Sequence, residues 1–493
     1  MTFRRTSRVS LSILTVAAAG LVCERSSFGQ PVRVDPLVLA GDVYGPGNVQ
    51  SGFAAAENFA VNNSGNWLIE VAVNLGFGVL ISGSGVNLPG TVYMTEGDPV
   101  ASPAGATISS FDAITLNNAG NSAFNLLYAG ATASTDSGVH YNSAQLIPEG
   151  STATAPQFSA GTPYIGWFEV RINDANQILM LASVDDPATS TTVDRALVRI
   201  DDPAGAATQT VLLKEGDELI PGRFLTDVAT NPHQFAFANG SRAATIFDVD
   251  GSTIDDSGVA IYDGLVWSIA AREGDPSPYA GRLFSSFSSQ PIDINNSGVW
   301  VVRADLDGAT TDDAVILKNG TVEVAREGGD VHGLSGVQFT GFGTGAVRID
   351  DSGRVFYYAA WNDPNATTNS GIFRDQRLLV RKGVTTVQTI FGTELLTDIS
   401  AVQDNFTISD NGRYLIFEGV ITEQTSGTTR RGSFMVRIFC PGDFNADGQV
   451  SVQDIFDFLS AYFNNDPAAD INGDGLSVQD IFDFLAAYFS TCG

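Results

Sequence analysis

Near its C-terminus the sequence twice sets oxygen-bearing residues at alternate positions. The first run offers Asp443, Asn445, Asp447, the Gln449 carbonyl, Ser451 and Asp454, with Gly448 in sixth place. The second offers Asp470, Asn472, Asp474, the Leu476 carbonyl and Asp480, with Gly475 in sixth place. Hard oxygen donors spaced by two, a glycine for the sharp turn and an acid arriving from the next helix suit Ca2+. In the second run Ser477 and Asp480 arrive one residue early, which puts its ninth-position ligand in doubt. Two Ca2+ sites are expected, the second weaker. A single D-x-N-x-D-G is also a solvated turn, so the duplication carries the argument. The segments Ser451–Phe463 and Ser477–Phe489 differ only at Ser460 against Ala486.

Each run opens onto an amphipathic helix. Val452, Ile455, Phe456, Leu459 and Phe463 recur at helical spacing, as do Val478, Ile481, Phe482, Leu485 and Phe489. This stripe is expected to pack the two helices together. Phe458 and Tyr462, with Phe484 and Tyr488, flank it as a candidate solvent-facing docking patch. Cys440 and Cys492 bracket the module. In an oxidising compartment two such thiols normally pair, closing a small unit that needs a staple.

The loop–helix duplication resembles a type I dockerin, and most closely the GC-type variant found at an extreme C-terminus with flanking cysteines. The resemblance spans Cys440–Gly493. It implies calcium-ordered docking to a cohesin-like protein or an envelope scaffold.

The module needs a body to attach, and residues 30–439 supply one. Short Val, Ile, Leu and Phe runs alternate there with Gly, Asn, Asp and Ser, which is all-β patterning. Two turn markers recur. One is E-G-D-like: Gly41-Asp42, Glu96-Gly97-Asp98, Glu149-Gly150, Glu215-Gly216-Asp217, Glu273-Gly274-Asp275, Glu327-Gly328 and the degenerate Lys382-Gly383. The other is N-x-x-G-like: Asn62–Gly65, Asn117–Gly120, Asn173–Asn176, a degenerate Asn231–Gln234, Asn295–Gly298, Asp350–Gly353 and Ser409–Gly412. Each series has seven members and advances about 57 residues per step.

One repeat reads as four strands, including a hairpin at Asn319-Gly320 whose residues suit a primed turn. Seven four-stranded units predict a seven-bladed β-propeller. The alternatives are a β-solenoid or a row of sandwiches. One strand, Val34–Ala40, precedes the first marker, and the last repeat stops after Ser433–Phe439. The N-terminal strand is therefore expected to complete the last blade. The repeats resemble secreted bacterial tandem-repeat proteins with an N-x-x-G-x-x-F-like motif, a likeness that implies a β-repeat fold and no assigned activity.

Composition narrows the partners. Of 493 residues, 26 are Lys or Arg and 55 are Asp or Glu, giving a formal charge of −29. Such a chain repels phosphate backbones and anionic lipid, which argues against nucleic acid. Arg4, Arg5 and Arg8, then apolar Val9–Val22 and the small residues before Gln30, read as a signal peptide over residues 1–29. Its apolar run is too short to span a bilayer, so no transmembrane segment is expected. His140, His233 and His332 have no partner at triad or metal-ligand spacing and read as loop or packing residues. The recurring Glu96, Glu215, Glu273 and Glu327 read as turn residues, because a catalytic pair is needed only once. The acids Asp248, Asp250, Asp255 and Asp256 read as a solvated loop rather than a further calcium site.

The sequence thus predicts a mainly β protein, secreted or held at the cell surface. It has a propeller-like repeat domain (30–439) and a small α-helical, calcium-binding, dockerin-like domain (440–493). Its expected role is protein–protein attachment to an extracellular scaffold, with no catalytic residues assigned. A polysaccharide or protein is the expected ligand of the repeats. The alternative is a polysaccharide-degrading, glycoside hydrolase-type component of a cohesin–dockerin assembly, which an asymmetric acid cluster at the propeller axis would favour.

Overall fold

The computed structural model describes residues 32–45, 47–49, 58–74, 76–86, 89–189, 193–229, 232–390, 392–402, 406–423, 426–438, 442–444, 450–464, 469, 471 and 476–489. The expected signal peptide, Cys440 and Cys492 lie outside them, as do Asn445, Asp447, Gln449, Asp470, Asn472 and Asp474.

The chain folds as a seven-bladed β-propeller followed by two short helices. Blades 1 to 6 occupy residues 59–95, 107–148, 164–214, 223–272, 284–326 and 339–381; blade 7 begins at residue 392. Blade 5 shows the plan. Phe284–Ser286 and Ile292–Ile294 form a broken inner strand against Trp300–Leu306; Ala314–Lys318 and Val322–Arg326 follow outward, all antiparallel. Asn319 and Gly320 both take positive φ, 50° and 69°, as a primed hairpin turn demands.

Blade 7 is closed from the other end of the chain. Arg33–Leu39 pairs antiparallel with Thr429–Arg437 as its outermost strand. Arg437 donates two bonds to Asp35 (2.8 and 3.1 Å), fixing that join. Closure leaves no open edge where an eighth blade would add.

Strand alternation puts an apolar side chain on each blade face, and the core is divided accordingly. Seven apolar clusters form, one between each pair of neighbouring blades, including the pair 7 and 1. The E-G marker serves this stacking. In six cases the marker glycine amide donates to a backbone carbonyl in the first strand of the next blade, and Gly41 donates to Val49 just ahead of blade 1, all at 2.7–3.0 Å. The recurring glutamates are therefore turn residues, as expected.

The helices are α1, Val452–Phe463, and α2, Val478–Phe489. Among the described residues no helix is long and apolar enough to cross a membrane.

Candidate functional site

The N-x-x-G turns meet around the propeller axis, where each joins the next. Asn62 Nδ2 donates to the Asn117 carbonyl (3.1 Å), Asn117 Nδ2 to that of Asn173 (3.0 Å) and Asn173 Nδ2 to that of Ala238 (3.2 Å). Asn295 Nδ2 likewise reaches the Asp350 carbonyl (2.8 Å). The following residues form a second tier. The amides of Asn63, Asn118, Asp174, Asn239 and Asn296 each donate to the side-chain oxygen of the equivalent residue one blade on. The Asn411 amide closes the circle on Asn63 Oδ1 (2.8 Å).

One expected turn is misplaced. Asn231 lies outside the described residues, and Pro232–Gln234 forms a 3-10 turn. Blade 4 makes its axial turn at Ala238–Arg242, closed by a bond from the Ala238 amide to the Arg242 carbonyl (2.8 Å). Ala238 has no carboxamide to donate, and Arg242 Nη1 supplies the link to the Asn296 carbonyl (3.1 Å). Blade 6 repeats the substitution: the Asp350 carboxylate has no N–H to donate, and Arg354 Nη2 reaches the Asn411 carbonyl (3.1 Å).

Inside the belt lies an axial cavity of about 150 Å³ lined by the inner strands. Two residues before each belt turn stand Ala60, Thr115, Arg171, Ala236, Asp293, Arg348 and Thr407, so at this position charge falls on blades 3, 5 and 6. Arg171 pairs with Glu169 (2.9 Å). Asp293 Oδ2 accepts the Ile349 amide of blade 6 (2.9 Å), and burial pushes its carboxyl up against the pull of Arg348. At the rim Asp410 accepts from Asn118 Nδ2 across the axis (3.0 Å). Crowding by protein, then the charges of Asp174 and Asp351, push its carboxyl up to about 7. The axis is thus polar and asymmetric. Aligning the repeats on their turns was the signal that could have found these charges.

Asp255 binds Arg223 and Arg272, and Asp250 accepts the Phe224 amide (2.9 Å). His140 is buried against the Tyr128 hydroxyl (2.7 Å), and desolvation lowers its pKa to about 4. His233 is buried, while His332 is exposed.

In the C-terminal module the described ligand candidates cap helices. Ser451 Oγ accepts the Gln453 amide (3.2 Å), and Asp454 Oδ2 accepts the Ser451 amide (2.8 Å), a reciprocal capping box. Ser477 and Asp480 repeat it at 3.2 and 2.7 Å. Asp480 Oδ1 also accepts the Ile471 amide (2.8 Å), tying the second loop to its helix. Asp454 and Asp480 are fully buried, and Asp443 nearly so. Leu476 is half-buried in the small core. Carboxylates, carboxamides, a hydroxyl and carbonyls are the donor chemistry that Ca2+ takes. Among the described residues alone, no three His, Cys, Asp or Glu side chains are placed to hold a metal.

The two helices face each other through part of the expected stripe, with the expected docking aromatics in its centre. Phe458 and Phe484 are fully buried and stacked in parallel, 4.2 Å between centroids, with Phe444 edge-on to both. Tyr462 and Tyr488 pack beside them, with Ile455, Leu459, Ile481 and Leu485. Val452, Phe456 and Phe463 instead face outward at 60, 61 and 74 % exposure, and Val478, Phe482 and Phe489 match them at 62, 61 and 76 %.

The model of a family of unknown function, DUF7453, matches residues 28–227 and 234–437. No curated protein matches. Solved structures that resemble the chain include an unknown-function protein from Dyadobacter fermentans: 10 % identity, 82 % of this chain and 99 % of that one, TM-score 0.31. The Dos1 propeller aligns at 10 % identity over 82 % of this chain and 95 % of that one, TM-score 0.33. The WD40 domain of SCAP from fission yeast aligns at 11 % identity over 82 and 90 %, TM-score 0.29.

Proposed function

The chain belongs to the DUF7453 family, and from its own residues we propose that it is a secreted β-propeller carried on a calcium-ordered, dockerin-like attachment module. The observation that supports this reading is the doubled apolar face. Three exposed apolar residues recur at identical offsets on α1 and α2, in a unit whose core is already filled by Phe458 and Phe484. Exposed aromatics in matched sets suit a partner with an apolar groove, a cohesin-like or envelope scaffold protein. Bound Ca2+ would be held at Asp443, Asn445, Asp447, Gln449, Ser451 and Asp454, and at Asp470, Asn472, Asp474, Leu476 and Asp480, where it would supply charge neutralisation and loop order. The chain's own residues cap the helices and present the faces.

The test uses the full chain on a resin against an envelope extract, with calcium or chelator. Capture of a cohesin-like protein that needs calcium and is lost in Phe456→Ser/Phe482→Ser supports the reading. Equal capture by that double variant refutes it.

A second reading, a polysaccharide hydrolase, draws on the asymmetric axial acids, with Asp410 at about 7 as its proton donor. Polysaccharide cleavage abolished by Asp410→Asn would favour it; the lack of any such cleavage would remove it.

A further inference from the structure

Three belt turns lack the donating carboxamide, at Ala238, Asp350 and Ser409, and four residues on each carries an arginine: Arg242, Arg354 and Arg413. Arg242 and Arg354 spend a guanidinium N–H on the next blade. In blade 7 Asn411 makes the corresponding link itself, through its amide and Nδ2 to Asn63. The Arg413 guanidinium is directed at Asp443, the first ligand position of the first calcium loop, in an ion pair with an almost buried carboxylate.

Both ends of this pair are held. The Arg413 amide donates to Asn411 Oδ1 (3.1 Å), and its carbonyl accepts the Ile438 amide (2.7 Å) where the chain leaves the propeller. On the other side, a Cβ at Gly442 would lie 2.8 Å from Tyr488 Cα, so Gly442 sits directly on α2. Phe444 packs into the stacked pair Phe458 and Phe484. Asp443 therefore belongs to the helical module, and its partner to the last blade.

A guanidinium and a divalent cation compete for one carboxylate, because two positive centres a few ångströms apart in a poorly solvated site repel strongly. We propose that Arg413 is a latch on the first calcium loop: it sets that loop's affinity, and calcium entry releases the module from blade 7. The inference rests on the calcium reading above. It assigns the two loops different tasks, the first sensing calcium against the propeller and the second lying outside the latch.

The test is calorimetry of calcium binding to the full-length chain and its Arg413→Gln variant, with phenylglyoxal labelling of Arg413 read by mass spectrometry. Arg413→Gln should tighten one of the two sites on the order of tenfold, within the range usual for coupled sites, and leave the other unchanged. In the wild type, calcium should speed Arg413 labelling; in Asp443→Asn, labelling should be fast with or without calcium. The labelling arm holds even if Arg413→Gln folds poorly. Calcium bound with equal affinity by wild type and Arg413→Gln, or binding that leaves Arg413 labelling unchanged, overturns the latch alone. No calcium on either protein overturns the latch together with the calcium reading.

Discussion

Replacing Asn117 by alanine tests whether the axial belt holds the propeller closed. Asn117 is 3 % exposed. Its Nδ2 donates to the Asn173 carbonyl of blade 3 (3.0 Å), and its Oδ1 accepts the amides of Ala119 (3.1 Å) and Asn121 (2.9 Å). Alanine deletes all three bonds. The Asn173 carbonyl keeps the Asn176 amide (3.0 Å), whereas the Asn121 amide loses its bond inside a half-buried turn. At about 1 kcal/mol for each bond lost, and somewhat more for an orphaned group, the expected cost is about 3 kcal/mol. Over some 400 residues that is a Tm shift of only about 3–4 °C, given an unfolding entropy near 2 cal/mol/K per residue. Denaturant unfolding is therefore the better global readout, and hydrogen exchange at Asn121 the local one. Asn118→Ala breaks the second tier instead, at the solvent-reached rim where water can replace the lost bonds, and should cost about 1 kcal/mol. A loss below about 1 kcal/mol for Asn117→Ala would refute the belt as a closure device.

Four further outcomes follow from the same contacts. Phe458→Ala removes half of a buried stack and should cost about 3–5 kcal/mol, enough to erase the module's helical circular dichroism, while exposed Phe456→Ala should stay within about 0.5 kcal/mol. Calcium chelation should lower that helical signal, and Asp443→Ala and Asp470→Ala should each remove one calorimetric site. Asp410, Glu149 and Glu215 have carboxyls raised to about 7, first by burial. The folded state binds protons there more tightly than the unfolded chain, so stability should rise as pH falls from 8 to 5, and Asp410→Asn should flatten part of that slope. His140, lowered to about 4, has the opposite sign and should erode stability as pH falls from 6.5 toward 4, an effect that His140→Gln removes in denaturation midpoints.

The blade count was legible because turns demand particular residues. Marker glycines and N-x-x-G-like turns recur wherever the backbone needs a tight reversal, and seven turns of each kind meant seven blades. The fourth belt turn was misread because Ala238 lacks the carboxamide, and its substitute, Arg242, acts on a carbonyl 54 residues away. Nothing local in the sequence marks that exchange. The helices failed differently. Ile455 and Leu459 fit two overlapping stripes at 3.6-residue spacing, one completed by Phe456 and Phe463 and the other by Phe458 and Tyr462. Only the facing helix decides between them, and the coaxial stack of Phe458 on Phe484 chose the second. The axial charges were legible in principle at a single repeat position, but their meeting depends on ring closure.

Repetition also explains where function can reside in such a chain. A position that must stitch every blade is held to a narrow set of residues, so its departures are informative. At the belt each of the three departures brings an arginine four residues on. Two of those arginines restore the stitch. The third faces the carboxylate of Asp443, in the proposed first calcium loop, at the blade that the N-terminal strand completes and the helical module follows. The axial lining departs from the repeat in blades 3, 5 and 6, where Arg171, Asp293 and Arg348 stand among alanines and threonines. A belt built from turn side chains and backbone closes the ring, and of these inner positions Asp293 adds one bond, accepting the Ile349 amide of the next blade. Because the turns carry most of the joining, these positions can carry charge, and the axis can take up a ligand chemistry of its own while the seven blades stay joined.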